Sequence, residues 1–342
     1  MSTVVRSPNW IGDGIMCLPA LRAYKEQFPD ERLAVVAKRY LADIYQDIPG
    51  IDEIIPIPDR WTVRSYLSAL RRLRSERFDR GVLFTNSFSS ALLFRLGGIK
   101  PCAGYSRDGR GWLLQERIPR LAGGEHHQYY YLKIVEHLSG KKMDGDFPAR
   151  LAVSFAEREW AADWLSGQGI RPGTPLLAVS PTAAFGSAKA WAPERFREVI
   201  RRWGDGHADA AVLLLGGAGE RERIAAVADG LPGSVVNLAG RLTLRQSIAV
   251  MSLCRLFIGN DSGLMHVAAA LGVPMAVVFG PTEPDRTAPL SDRYRLLQHP
   301  ADCAPCRHRD CPTDHRCMTA VGVDEVLAAA TELWPPGSGK GK

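Results

Sequence analysis

The sequence has no apolar stretch long enough to cross a bilayer. Its longest, Val267 to Pro281, is broken by Gly272, Pro274 and Gly280 and reads as a helix end, a turn and a buried strand. A secretory leader is not expected at the N-terminus either. Thr3-Val4-Val5-Arg6-Ser7 runs straight into Pro8-Asn9-Trp10, and Asp13 interrupts the residues beyond them, so there is no apolar core of the length a leader needs. The expectation is a cytoplasmic protein. Disorder-prone composition is confined to the tail after Trp334, Pro335-Pro336-Gly337-Ser338-Gly339-Lys340-Gly341-Lys342; elsewhere 46% hydrophobic and 23% charged residues are ordinary for a soluble globular chain. The aromatic residues do not interleave with the basic run, and no nucleic-acid-binding motif appears, which argues against a nucleic-acid partner.

What is present begins with length. A chain of 342 residues exceeds one ordinary core and points to two domains. Its net charge of +6 sits in the first half: residues 1–150 hold 23 Lys and Arg against 17 Asp and Glu, and the rest hold 20 against 20. Such a half is suited to something anionic: a phosphorylated acceptor, an anionic membrane surface or nucleic acid. A solvated Arg-rich helix over 62–77 accounts for part of the same bias. Of seven cysteines, Cys17, Cys102 and Cys254 sit in apolar or turn contexts as inert thiols, while Cys303, Cys306, Cys311 and Cys317 cluster. In a reducing compartment both a structural zinc site and a metal-free reduced loop fit that spacing. No cofactor is expected to be required for catalysis.

Strand-like and helix-like patterns alternate. Strands are expected at Thr3–Ser7, Leu33–Lys38, Glu53–Ile57 and Gly81–Phe84, with helices at Ile15–Phe28, Tyr66–Arg77 and Ser89–Leu96. The pattern restarts with helices at Ala156–Gly167, Pro193–Trp203, Glu220–Ala228 and Leu264–Leu271. Strands alternate with them at Leu176–Ser180, Ala211–Leu215, Val235–Asn237, Arg255–Ile258 and Met275–Phe279, and Val323–Leu333 is a last helix. The order predicts an α/β chain of two doubly wound parallel-sheet domains facing a central cleft.

The turn Gly259-Asn260-Asp261-Ser262-Gly263-Leu264-Met265-His266 comes after a strand and opens a helix. A helix N-terminus offers unpaired N–H groups and a positive dipole end, which suits a diphosphate, and Gly263 lets the backbone come close. Asp261 is a candidate cap or acceptor of sugar hydroxyls, and His266 lies one turn in; an ordinary strand–turn–helix with a buried His is the bland alternative. Three more loops come after strands of the same sheet. One holds Thr182, Ser187 and Lys189, its sole positive charge; one is Gly216-Gly217-Ala218-Gly219-Glu220, where a carboxylate suits a ribose; the third is Gly280-Pro281-Thr282-Glu283-Pro284. In the first half, Pro8-Asn9-Trp10-Ile11-Gly12-Asp13-Gly14 puts a carboxylate between two glycines after the first strand. It is a candidate general base or a cap of the next helix.

Pro8-Asn9-Trp10-Ile11-Gly12-Asp13, Thr85-Asn86-Ser87-Phe88-Ser89-Ser90-Ala91-Leu92, Phe185-Gly186-Ser187-Ala188-Lys189-Ala190-Trp191-Ala192-Pro193 and Asn260 to Gly272 resemble glycosyltransferase family 9, the bacterial heptosyltransferases. The resemblance spans nearly the whole chain. It implies the GT-B fold of two Rossmann-like domains, with 1–152 binding the acceptor, 153–322 binding the nucleotide-sugar, and 323–342 a helix and tail whose helix packs back on the N-terminal domain. It implies an ADP-heptose donor and inverting transfer to a heptose on a phosphorylated Kdo-lipid A acceptor. The protein would then sit peripherally at the cytoplasmic face of an anionic inner membrane. By the same resemblance Asp13 would be the base; Thr182, Ser187, Lys189, Ser262 and Gly263 would meet the diphosphate; Glu220, Asp261 and His266 would meet ribose or sugar. Asn9, Trp10, Asn86 and Ser87 would lie on the acceptor side. Thr182-Ala183-Ala184, in place of paired threonines before the lysine, favours the second transferase of the pathway over the first. A nucleotide-sugar 2-epimerase would differ in its acceptor-side loop and carry more His or Glu near the cleft. A nucleic-acid-binding protein would bind in a steeply salt-dependent way.

Overall fold

The computed structural model describes residues 1–119, 123–143, 145, 147–306 and 308–334; the tail 335–342, expected to be disordered, lies outside them. The chain divides into two compact units, Met1–Ala149 and Arg150–Lys342.

In the first unit, β1 (Ser2–Arg6), β2 (Arg32–Lys38), β3 (Glu53–Ile57), β4 (Arg80–Leu83), β5 (Cys102–Tyr105) and β6 (Glu116–Ile118) form one sheet in the order β3-β2-β1-β4-β5-β6. Every pairing is parallel. Val4, Val5 and Leu33 to Ala37 are all but fully buried, as β-branched and small apolar runs are when helices cover both faces. Gly81 on β4 has to be a glycine: a Cβ there would come within 2.8 Å of Ile99 and 2.9 Å of Phe94. The helix Phe88–Leu96 therefore lies close on the sheet.

The second unit repeats the plan. β7 (Leu176–Ser180), β8 (Ala211–Leu214), β9 (Val235–Asn237), β10 (Leu256–Asn260), β11 (Met275–Val278) and β12 (Tyr294–Leu297) lie in the order β12-β11-β10-β7-β8-β9, again all parallel. Read from β9, this is the order of the first sheet. Strand order reverses between β1 and β4 in one unit and between β7 and β10 in the other. The loops leaving those strands border the crevice at which doubly wound sheets bind ligands.

Several elements differ from expectation. The first helix begins at Ile11 and is interrupted at Cys17, giving Ile11–Met16 and Leu18–Gln27; Pro19 enters the second helix in its first turn, where a missing N–H costs nothing. The strands β5, β6 and β12, of three or four residues, and the helices His127–Ser139 and Leu244–Met251 add to the expected set. The last helix, Val323–Leu333, puts Val326, Ala329 and Ala330 into the second unit's core with Trp203, Ala276 and Val278. Its apolar face matches the sheet surface beside β11, which would otherwise be bare.

Candidate active site

Because the second sheet is parallel, the turns leaving β7, β8, β10 and β11 emerge on one edge, as the sequence suggested. After β10 the chain turns at Asp261 and enters the helix Gly263–Ala270 with Ser262 as N-cap. The Ser262 side chain makes no capping bond. Its Oγ is buried with no hydrogen-bond partner among the described residues, and the same is true of Thr182 Oγ1 after β7 and of Asn260 Nδ2. Buried polar atoms are rarely left unpaired, since each costs about 1–3 kcal/mol. Three on adjacent exit turns, two of them hydroxyls, mark a place where something polar binds.

A cation stands at the same turn. Lys189 Nζ donates to Asp261 Oδ2 at 2.6 Å, with side chains 17% and 6% exposed. The same carboxylate oxygen accepts from Thr282 Oγ1 at 2.7 Å. The structure thus brings Thr182, Lys189, Asp261, Ser262 and Gly263 to one turn pair and adds Thr282 from the β11 exit. Asp261 is not the helix cap; it holds the lysine. Asn260 Oδ1 takes the Trp191 N–H at 3.1 Å, which fixes the far end of the lysine loop to β10. His266 is buried at 4% exposure on the helix.

Two residues have other duties. Ser187 Oγ donates to Asp310 at 2.6 Å. Glu220 Oε2 accepts the Gly217 N–H at 2.8 Å, closing the β8 exit turn and leaving Oε1 outside that bond. The four clustered cysteines are free thiols, with Cys303 exposed and Cys317 buried. Among the described residues no three His, Cys, Asp or Glu side chains are gathered to hold a metal ion. Cys317 faces inward beside Gly280, while Cys311 bonds Thr313. Cys17, Cys102 and Cys254 are buried as expected, and burial pushes the last two thiols up to about 12.

In the first unit Asp13 is the third residue of Ile11–Met16, and Trp10, 51% exposed, is the N-cap. Asp13 is therefore not a cap. Its Oδ1 accepts the Tyr131 hydroxyl at 2.9 Å, and His127 Nδ1 lies 3.7 Å away. Burial, and next the Asp13 charge, keep the Tyr131 hydroxyl protonated by raising its pKa well above the ordinary value, so Tyr131 stays a donor to the carboxylate. Asn9 Oδ1 accepts from the buried Arg6 at 2.7 Å, and its carbonyl takes the Tyr40 hydroxyl. Asn86 Oδ1 is shared by Tyr130 at 2.7 Å and the fully buried Arg110 at 3.3 Å, leaving the amide nitrogen as its free function. Burial lowers both Arg6 and Arg110 to about 10, still charged at neutral pH. Ser87 is the N-cap of Phe88–Leu96, accepting from Ser90.

Tyr131, His127, Arg6 and Arg110 escape sequence reading as site residues, and Thr282 is read only as part of its loop. Tyr131 is 118 positions from Asp13, and nothing local marks it. Arg6 carries one signal, a charge at the end of an apolar run, whereas Arg110, in Arg107-Asp108-Gly109-Arg110-Gly111, carries none.

Residues 66–316 match the family model of glycosyltransferase family 9 (heptosyltransferase). Lipopolysaccharide heptosyltransferase 2 of Escherichia coli K12 is 29% identical over 87% of this chain and 88% of its own. Lipopolysaccharide heptosyltransferase 1 of Pseudomonas aeruginosa is 28% identical over 91% and 87%. The structure of E. coli ADP-heptose lps heptosyltransferase II superposes with a TM-score of 0.84 at 26% identity, covering 98% of each chain. The two parallel-sheet units are those of the GT-B heptosyltransferases. This chain belongs to glycosyltransferase family 9, the heptosyltransferases, and is a glycosyltransferase.

Proposed function

We propose that the protein transfers heptose from ADP-heptose to the first heptose of the lipopolysaccharide inner core, with inversion at the anomeric carbon. The observation that carries this reading is the pair of buried, unpartnered hydroxyls, Thr182 Oγ1 and Ser262 Oγ, beside the Lys189–Asp261 pair at a helix N-terminus. This set suits a diphosphate that must depart as an anion. Asp13 takes the proton from the attacking hydroxyl of the sugar acceptor. The new C–O bond forms as the bond from the anomeric carbon to the diphosphate oxygen breaks, and ADP leaves with its charge met by Lys189 and the Gly263 helix. Oε1 of Glu220 is the atom assigned to the ribose, and His266 to the donor end.

The basic first half supports a phosphorylated Kdo-lipid A acceptor and a peripheral seat on an anionic inner-membrane leaflet, facing the cytoplasm. No helix among the described residues is long and apolar enough to cross a membrane. The helix Val63–Glu76 presents Val63, Leu67, Arg64 and Arg71 outward, with Trp61 just before it, an apolar and basic mixture suited to an anionic surface.

The test is incubation with ADP-heptose and either of two acceptors, Kdo-lipid A carrying one heptose or none, read by mass spectrometry. A gain of one heptose on the first acceptor alone is expected. Gain on the heptose-free acceptor alone would reassign the chain to the first transferase, and gain on neither would overturn the donor or acceptor assignment.

A further inference from the structure

The loop 303–317 carries four cysteines and takes no part in the transfer just described, yet it is bound closely to the turn that carries Lys189. Ala188 donates its N–H to the Arg309 carbonyl at 2.9 Å, and Arg309 Nε donates to the Phe185 carbonyl at 2.9 Å. Ser187 donates to Asp310, and His315 Nε2 donates to the Ala188 carbonyl at 2.8 Å. Gly186 faces the same loop so closely that a Cβ would stand 2.1 Å from the Arg309 carbonyl oxygen. The loop is itself tied to the sheet edge. Cys306 donates its N–H to the Pro281 carbonyl at 2.8 Å, and Cys317 and Met318 are buried in the second unit's core.

The turn needs such support. Between β7 and the helix Pro193–Gly206 its own backbone closes little more than one short turn, Ser187–Lys189. A lysine on an unsupported loop gives up ordering entropy whenever it meets a ligand, and that loss weakens binding. We infer that Arg309, Asp310 and His315 are positioning residues. Through them the 303–317 loop clamps residues 185–188 and holds Lys189 against Asp261 before the donor arrives. This rests on the reading of Lys189 as a partner of the diphosphate. It gives the cysteine-bearing segment a task that depends on its backbone and polar side chains.

The experiment uses the full chain and four variants: Asp310→Ala, Asp310→Asn, Gly186→Ala and Lys189→Ala. Amide hydrogen exchange over 185–190 is measured first, then ADP affinity by calorimetry, with thermal unfolding as the fold control. In Asp310→Ala, which loses one hydrogen bond to a charged group, and in Gly186→Ala, whose methyl group crowds the Arg309 carbonyl, exchange at the Ala188 amide is expected to speed by about tenfold. ADP is expected to bind about tenfold more weakly. Asp310→Asn keeps an acceptor oxygen and should behave like the parent. Asp310 is exposed, so its variants test the clamp even where Gly186→Ala fails to fold. Unchanged exchange in Asp310→Ala overturns the clamp. Faster exchange with unchanged ADP affinity, while Lys189→Ala loses ADP, overturns the positioning role. If Lys189→Ala binds ADP normally, it is the donor reading that falls, and the exchange rates still decide whether the loop holds the turn.

Discussion

Asp13 lies between two glycines after the first strand, and that much can be read from the chain. What holds its carboxylate cannot, because Tyr131 and His127 arrive from a helix more than a hundred residues away. Lys189 is legible as the sole cation of its loop, and its bond to Asp261 is a consequence of β7 lying beside β10. Ser187 and Ser87 also bond within the fold, to Asp310 and to Ser90, because a hydroxyl near a strand end readily serves a neighbouring loop or a helix cap. The Asp13→Asn variant separates chemistry from support. Asparagine keeps an oxygen for Tyr131 but cannot take a proton at neutral pH. Transfer should fall by at least about a hundredfold while calorimetry finds ADP binding unchanged; a rate near that of the parent would make Asp13 a structural acceptor only.

At the scale of elements, the long β-branched strands are legible because burial on both faces leaves a continuous apolar run. The strands β5, β6 and β12 are not, since three or four residues carry too little pattern and adjacent strands recruit them. The helix Leu244–Met251 has a signal in its capping box, Thr243 with Gln246. It is joined to Phe155–Ser166, whose own box is Ser154 with Glu157, by the Arg245–Glu157 pair. Burial would raise the Glu157 carboxyl, but Arg245 and Ser154 outweigh it and bring the group from 4.5 to about 2. A depressed carboxyl stabilises the fold above its unfolded value and loses that contribution as pH falls through the folded one. Glu157→Gln should therefore cost about 1–2 kcal/mol at pH 7. The gap to the parent should narrow steadily between about pH 4.5 and 2. Urea unfolding across that range measures it, and a gap independent of pH would assign the cost to packing instead.

For the whole molecule, the charge imbalance between the halves is plain from the sequence, and it makes a prediction of its own. The protein should sediment with vesicles containing anionic phospholipid at low salt, leave them at high salt, and ignore neutral vesicles. Arg64→Glu with Arg71→Glu should lower partitioning at least about tenfold without moving the thermal midpoint. Equal sedimentation of parent and variant would remove that helix from the membrane reading.

The placement of the last helix sets a timetable for synthesis. The first unit has all its strands by residue 118 and can close while the ribosome is still reading the second. The second unit cannot. Trp203, stacked edge-on against Trp334 at 4.9 Å, and the sheet face beside it stay uncovered until the final helix has left the exit tunnel. A chain stopped after Gly322 should therefore collect in the insoluble fraction of a lysate, whereas one stopped after Trp334 should remain soluble and bind ADP. The terminal segment, remote in sequence from every residue assigned to chemistry, thus decides whether a newly made molecule is delivered at all.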